Sequence, residues 1–156
     1  MAGKQSAGIL AFRRRPAATL EVLLVHPGGP FWKNKDAQAW SIPKGELAAP
    51  EEALAAARRE FAEELGFQID GDFLALTPVR QSGGKTVHAF AVEADFDAAQ
   101  AKSNTFSIEW PPKSGKLQEF PEVDRAEWFA LEVAMQKINA AQAALLRELR
   151  ARVPGI

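Results

Sequence analysis

The stretch that decides the fold is residues 45–67, which read GELAAPEEALAAARREFAEELGF. Apolar side chains recur in it at helical spacing and predict one buried stripe: Leu54, Ala57, Phe61 and Leu65. Pro50 is suited to the first turn of a helix, and Gly66 is a helix stop signal. The stretch therefore predicts an amphipathic helix that begins near Pro50 and ends at Gly66.

The same stretch concentrates negative charge. It holds six acidic residues against two basic ones, in a chain whose formal net charge is −1. At about 3.6 residues per turn, Glu60 lies above Glu63 and Glu64, which puts three carboxylates on the face opposite the apolar stripe. Like charges so placed repel each other unless a cation lies among them. The residues alone leave two interpretations open, a solvated helix face and an acidic cation site.

Composition narrows the function classes. The chain has 156 residues, of which 47% are hydrophobic and 25% charged, and this predicts a single domain over residues 1–156. It has no Cys and only two His, so a metal ion would be held mainly by carboxylate oxygen, which favours magnesium, manganese or calcium. The net charge provides no positive field for DNA.

No signal peptide or membrane-spanning segment is predicted from this sequence. The apolar run that follows the first six residues is too short for a signal peptide, and no run approaches the roughly 20 apolar residues that a membrane span needs. We therefore expect a cytoplasmic protein that contacts no membrane.

Strand and helix patterns fill the rest of the chain. Apolar runs and turn residues predict a hairpin from residues 6–14 and 20–26, followed by a loop at 27–38. Further strands are predicted at 39–42, 72–81, 85–96, 106–110 and 125–130. Residues 131–150 show an apolar face that predicts one terminal amphipathic helix.

The spacing in residues 45–67 also carries a family resemblance. The pattern resembles the Nudix box: Gly45 is followed after five residues by Glu51, and after seven more by REFAEELGF at 59–67. Phe61 and Phe67 stand where that family usually has a bulky aliphatic residue. The resemblance continues before the box in WSIPK at 40–44. After the box, EWPP at 109–112 and EFPEVDRAEWF at 119–129 are similar to a bacterial subgroup of predicted nucleoside triphosphate pyrophosphohydrolases.

The resemblance implies a fold and an activity. The expected fold is α/β, a Nudix-type α/β/α sandwich with a central mixed β-sheet. The expected activity is divalent-metal-dependent hydrolysis of a nucleoside diphosphate linked to another moiety, by water attack at phosphorus. A nucleoside triphosphate or dinucleoside polyphosphate is the favoured substrate, Mg²⁺ is the expected cofactor, and Mn²⁺ is an alternative. The competing hypothesis is a non-catalytic, nucleotide-sensing binding module with the same fold.

The resemblance also implies roles for the acidic helix. Glu60, Glu63 and Glu64 correspond to metal ligands, and the carbonyl of Lys44 is a further candidate ligand. Arg59 is assigned to orienting the carboxylates, with a simple surface ion pair as the alternative.

The remaining candidates are a general base and groups that bind substrate. The family often takes its base from a loop before the final Trp-bearing strand, where Glu122 is the first candidate and Glu119 the second; Glu60 could also serve. Substrate contacts are expected from four residues, each of which could equally be ordinary surface or core: Lys44, Arg80, Lys85 and Trp32. No protein partner is indicated.

Overall fold

The computed structural model of this protein describes residues 4–15, 19–48 and 50–153. Its strands are β1 (Gln5–Arg15), β2 (Thr19–Pro27), β3 (Lys44–Glu46), β4 (Leu74–Ala75), β5 (Val79–Gln81), β6 (Lys85–Glu93), β7 (Thr105–Glu109), β8 (Leu117–Pro121) and β9 (Val123–Ala130). Its α-helices are α1 (Ala53–Leu65), α2 (Leu131–Lys137) and α3 (Ala143–Arg152). None of the helices in these ranges has the length and apolar character needed to cross a membrane.

The central sheet is mixed. Its strand order is β4-β6-β1-β2-β9, with β3 added to β1 and β5 added to β6. The β1–β6 pair is parallel, and every other pair in this sheet is antiparallel. Strand β3 pairs with the first half of β1, where Gly45 lies opposite Ala7. The glycine that leads the acidic stretch is thereby fixed to the middle of the sheet.

Helices cover both faces of this sheet. Alternation along β1 sends Ala7, Ile9 and Ala11 to the face that packs on α1, whereas Leu10 and Phe12 face α2 and α3. Burial of both faces accounts for the nearly continuous apolar run in β1. The predicted α/β/α sandwich with a central mixed sheet is confirmed.

Helix α1 follows the predicted apolar stripe but begins later than predicted. Residue 53, not Pro50, is its first residue, and Glu52 occupies the N-cap with extended backbone. The end is as predicted, because Gly66 adopts φ 76° and its N–H bonds the carbonyl of Ala62 at 2.8 Å. Ala56, Ala57, Phe61 and Leu65 form the buried side of the helix.

Other predicted elements differ in extent. The hairpin of β1 and β2 is confirmed, while its turn lies outside the described residues. The predicted strand at 39–42 is wrong, because Trp40 and Ser41 make only isolated bridges, to Ile138 and Val25. The predicted strand at 72–81 is interrupted, leaving the short strands β4 and β5. Strand β8, which pairs with β7, was not predicted.

The predicted terminal helix is divided into α2 and α3. The division falls at Ile138 and Asn139, where extended backbone at Ile138 bridges to Trp40. The side chain of Asn139 then accepts from the N–H of Ala141 and starts a 3-10 turn that leads into α3. Periodicity extends across the break because both halves bury residues of the same face.

Truncation of a side chain in α3 tests the second core layer. We expect Leu149→Ala to lower the free energy of unfolding by about 2–5 kcal/mol, because Leu149 is fully buried against the sheet. The matched control is Val133→Ala in α2, where the side chain is 43% exposed and the loss should stay below about 0.5 kcal/mol. Urea denaturation measures both, and equal losses would contradict this packing.

Candidate functional site

Glu64 is the buried centre of the acidic cluster. Its side chain is only 8% exposed, and its Oε2 accepts the backbone N–H of Lys44 at 3.1 Å. The prediction that this carboxylate shares a helix face opposite the core is therefore corrected. Glu64 lies on the flank of α1 that meets the Lys44 backbone, where β3 begins.

Glu60 lies one turn before Glu64 and packs directly on the backbone of Gly45. A Cβ atom built on Gly45 would stand 2.1 Å from the Glu60 carboxyl carbon. Such a contact is far inside van der Waals distance, so any side chain at residue 45 would displace the carboxylate of Glu60. The glycine therefore permits the close approach of strand β3 to the acidic face of α1.

Arg59 ties several acids together. Its guanidinium makes two bonds of 2.9 Å to the Glu51 carboxylate, and its Nη1 donates to Glu60 at 2.9 Å and to Glu63 at 3.2 Å. Its Nη2 also donates to the carbonyl of Glu46 at 3.2 Å. A bidentate guanidinium fixes geometry as well as charge. These contacts suit the expected role of Arg59 in orienting carboxylates.

The electrostatics of the cluster are unbalanced at Glu64. Burial, followed by the negative charges of Glu60 and Glu122, raises the pKa of Glu64 to about 8, and the nearby Lys44 offsets only part of this. Burial also raises the pKa of Glu60, against the opposing effect of Arg59. A proton or a cation is therefore needed to stabilise Glu64 in the folded protein.

The pKa values of Lys44 and Glu51 are also shifted, each by a different cause. Burial is the main cause that lowers the pKa of Lys44, and the positive charge of Lys85 lowers it further while the carboxylates oppose both. Hydrogen bonds from Arg59 lower the pKa of Glu51 to about 2. Glu51 thus remains an anion that binds the orienting arginine.

A cleft of about 240 Å³ opens beside Glu64. Trp32, which is 38% exposed, lines it from the loop that follows β2, and Lys44 lines it from β3. Lys85 lies close enough to influence Lys44. Arg80 does not line this cleft among the described residues; its neighbour Gln81 does, so strand alternation directs the exposed Arg80 to the opposite face.

The two candidate general bases are separated by the structure. Glu122 joins β8 to β9, lines the cleft, and acts electrostatically on both Glu60 and Glu64. Glu119 belongs to β8, where its carboxylate accepts the Thr105 hydroxyl at 2.7 Å. The hairpin thus holds Glu119 by a contact of its own, whereas Glu122 faces the acidic cluster.

The sequence analysis missed a buried amide in this cleft. Gln142 is fully buried; its Nε2 donates to Ser41 and Gln81, each at 3.0 Å, and its Oε1 accepts the Ile42 N–H at 3.0 Å. The signal was present, since Gln142 stands four residues after Ile138 on an otherwise apolar helical face. A polar residue at such a position must find partners when it is buried.

The residues of the cluster suit a hard divalent cation. Carboxylate and backbone carbonyl oxygens are the ligands that Mg²⁺ takes, and a cation would offset the negative charge that Glu64 carries when it is ionised. In the described part of the chain, no three acidic or histidine side chains already converge in a metal-binding arrangement. Glu60 and Glu63 bond the Arg59 guanidinium instead.

Comparison with known proteins agrees with the fold described above. A family model described as the NUDIX domain matches residues 4–149. An Ap4A hydrolase from C. elegans, solved as a binary complex, has 23% identity and a TM-score of 0.65, with 97% of this chain and 99% of that chain covered. The NUDIX domain of Shewanella oneidensis NrtR, solved with ADP ribose, has 17% identity and a TM-score of 0.67, with coverage of 98% and 90%.

A MutT structure, from work on Aliivibrio salmonicida and Vibrio cholerae, also shares the fold. It has 15% identity and a TM-score of 0.59, covering 97% of this chain and 98% of that chain. No curated protein sequence matches this chain significantly. At these identities the solved structures establish a common fold and nothing finer.

The buried carboxylate predicts how stability depends on pH. Because the pKa of Glu64 rises from 4.5 to about 8 on folding, the unfolded chain loses this proton first. The Glu64 contribution to the free energy of unfolding, measured in EDTA, should therefore fall between about pH 4.5 and pH 8 and be constant above that. Subtracting the same titration of Glu64→Gln isolates this contribution, and identical curves would contradict the assignment.

Added Mg²⁺ should have the complementary effect. A cation that binds only the folded protein raises the melting temperature, and protons compete with it for Glu64. We expect the rise caused by Mg²⁺ to be larger at pH 8.5 than at pH 6, and to be reduced in Glu64→Gln at both. Melting curves measured with and without Mg²⁺ would refute this if the rise were the same in both proteins.

Proposed function

Because this chain belongs to the Nudix family, we propose that it is a divalent-metal-dependent pyrophosphohydrolase that cleaves a nucleoside diphosphate linked to another moiety. One observation carries the proposal. The buried carboxylate of Glu64 shares a cleft with Glu122, Lys44 and an exposed Trp32. Metal-assisted hydrolysis of a nucleotide anhydride uses carboxylates that bind a cation and a general base that activates water. An aromatic ring can in addition hold the nucleobase.

The acidic cluster would hold the cation. Glu60, Glu63, Glu64 and the Lys44 carbonyl provide oxygen ligands, for which Mg²⁺ is the first candidate and Mn²⁺ the second. A bound divalent ion lowers the pKa of water and neutralises negative charge on phosphate oxygens. Arg59, which bonds Glu60 and Glu63, is the residue that we assign to orienting these two carboxylates.

Glu122 is the residue that we assign to removing the proton from the attacking water. It lines the cleft beside Glu64 and is exposed to solvent, so it can accept a proton and release it again. Its hydrogen-bonded backbone supports this role: its N–H bonds Asn104 at 2.8 Å, and its carbonyl accepts the N–H of Gly28 at 2.9 Å. A base on an anchored segment stays near its target.

Substrate recognition follows from the wall of the same cleft. Trp32 offers an aromatic face for a base, and such stacking is worth about 1–3 kcal/mol per base. Lys44 and Lys85 provide positive charge next to the acids, which suits a substrate with several phosphates. A nucleoside triphosphate or a dinucleoside polyphosphate is accordingly the favoured substrate class. Arg80 lies on the far face of β5, so we assign it no contact in this cleft.

A substrate panel tests this function. Purified protein is incubated with dGTP, diadenosine tetraphosphate or ADP-ribose, in Mg²⁺, Mn²⁺ or EDTA, and the products are followed by ³¹P NMR. We expect anhydride cleavage with a divalent ion, none in EDTA, and a loss of roughly 10²–10⁴-fold in kcat for Glu64→Gln. Tight binding of one compound without cleavage would instead support a nucleotide-sensing module. Cleavage that persists in EDTA would overturn the metal dependence.

A pair of neighbouring acids identifies the base. We expect Glu122→Gln to lower kcat by about 10²–10⁴-fold, which is the usual contribution of general-base catalysis. Glu119→Gln is the matched control and should change kcat less than about tenfold, because Glu119 bonds Thr105 on the hairpin. Steady-state kinetics on the best substrate of the panel measures both. If both variants keep near-normal kcat, the base belongs to the box, with Glu60 as the next candidate.

A further inference from the structure

His26 lies outside the acidic cluster and is fully buried at the end of β2. Its Nδ1 lies 2.8 Å from Oδ1 of Asp124, and its Nε2 lies 2.6 Å from the backbone carbonyl oxygen of Lys35. The ring also packs edge-on against Trp40, with centroids 5.2 Å apart. Both ring nitrogens therefore face oxygen atoms at hydrogen-bonding distance.

The number of hydrogens needed at these two contacts indicates the charge of the His26 ring. A carbonyl oxygen can only accept, and so can an ionised carboxylate. A neutral imidazole carries one N–H, so it could satisfy either Asp124 or Lys35 but not both. Two short contacts to two acceptors indicate that both nitrogens of His26 carry hydrogen and that the ring is an imidazolium paired with Asp124.

An irregularity in β9 aims Asp124 at this ring. His26 pairs with Arg125 and the next residue, Pro27, pairs with Val123, so Asp124 is an extra residue in the ladder. Such bulges turn one side chain out of the alternating pattern, and they recur next to active sites. The bulge here lies two residues after Glu122, and the side chain of its extra residue, Asp124, contacts His26.

The other contact of His26 reaches the loop that carries Trp32. We call residues 28–38, which follow β2, the aromatic loop. Its first residue, Gly28, bonds the Glu122 carbonyl at 2.9 Å, and a Cβ on Gly28 would stand 2.0 Å from the Pro121 carbonyl oxygen. Near its other end, the Lys35 carbonyl is held by His26. One end of the Trp32-bearing arch is therefore bonded directly to the segment from 121 to 124, and the other end is linked to that segment through His26 and Asp124.

The charged side chains near the His26 ring have contacts of their own. The Arg125 guanidinium lies 3.8 Å from the Asp124 carboxylate and stacks over the Trp40 ring. The Lys35 ammonium group lies over Trp32, 5.1 Å from the ring centroid. Asp36 accepts the Trp40 N–H and pairs with Lys137. Asp124 is thus the carboxylate that directly contacts His26.

We propose that His26 is a positioning residue: as an imidazolium between Asp124 and the Lys35 carbonyl, it fixes the aromatic loop against the segment that carries Glu122. This arrangement of His26, Asp124 and the Lys35 carbonyl, which we call the clamp, sets the separation of Trp32 and Glu122 across the cleft. Its effect on turnover rests on the proposed function, which assigns these two residues to binding and catalysis. The charge on the ring and the docking of the loop do not depend on that assignment.

NMR of the ring nitrogens tests the charge directly. The chain has two histidines, so ¹⁵N spectra of wild type and of His88→Gln assign both rings. At pH 7 we expect a directly bonded hydrogen on each ring nitrogen of His26, and loss of one of them in Asp124→Asn. A wild-type Nδ1 without hydrogen would overturn the clamp, because the proton would then belong to Asp124.

Hydrogen exchange tests the docking of the loop. We expect amides of residues 28–38 to exchange about tenfold faster or more in Asp124→Asn and in His26→Gln than in wild type. His88→Gln is the control, because His88 contacts Gln5 on the first strand and lies outside this arch. Asp124→Asn keeps the shape of the side chain, so it remains informative if His26→Gln does not fold. Equal exchange in Asp124→Asn and the control would overturn the proposal.

Kinetics with diadenosine tetraphosphate and Mg²⁺ separates positioning from simple loss of folded protein. Misplacing Trp32 should raise KM about tenfold in Asp124→Asn, the order expected for one base stack, while kcat falls less than in Glu122→Gln. A lower kcat with unchanged KM would mean only a smaller folded fraction and would overturn positioning. If wild type cleaves none of this probe, the proposed function fails on this substrate, while the NMR and exchange results still decide the clamp.

Discussion

The crowding of negative charge around Glu64 is the constraint on which the site depends. A carboxylate that is 8% exposed, with the charges of Glu60 and Glu122 nearby, is unfavourable in its ionised form. The chain offsets this only in part, with one backbone N–H from Lys44 and the charge of Lys44 itself. The remaining imbalance leaves room for a positive partner, and an anionic phosphate could approach these acids only with such a partner present.

The scaffold keeps that crowding from relaxing. Small residues on α1, Ala56 and Ala57, pack on β1 and allow the helix to lie close to the sheet. Strand β3 is paired to the same strand, so Gly45 meets the Glu60 carboxylate at a distance that excludes a side chain. Arg59 then holds Glu60 and Glu63 from the solvent side. Moving Glu60 or Glu63 would break its contact with the Arg59 guanidinium, which a bidentate pair with Glu51 holds in place.

The opposite wall of the cleft is built differently. There the groups assigned to substrate binding and proton removal lie on connections, the aromatic loop and the β8–β9 junction, rather than on regular elements. Connections are mobile unless their backbone is bonded to something rigid. The bond from Gly28 to the Glu122 carbonyl and the contacts of His26 provide such bonds, since β2 and β9 are neighbours in the sheet.

The sequence by itself predicted those features that depend on local order. Apolar spacing gave α1 and its end at Gly66, and the turn and strand pattern gave the β1–β2 hairpin. The spacing of glycine and acids in the box indicated the family and the candidate site. These features are recoverable because the residues that form them lie close together along the chain, where sequence distance reflects spatial distance.

Only the tertiary structure decided the features that join distant segments. The burial of Glu64 depends on the Lys44 backbone, the clamp joins His26 to Asp124, and the buried Gln142 contacts Ser41. The same holds for the break before Asn139, which the bridge between Ile138 and Trp40 accompanies. Periodicity describes which face of one element is apolar but not which residue of another element will meet it. Partners about 20 to 100 residues apart are therefore set by packing, and with them the charge and the shape of the site.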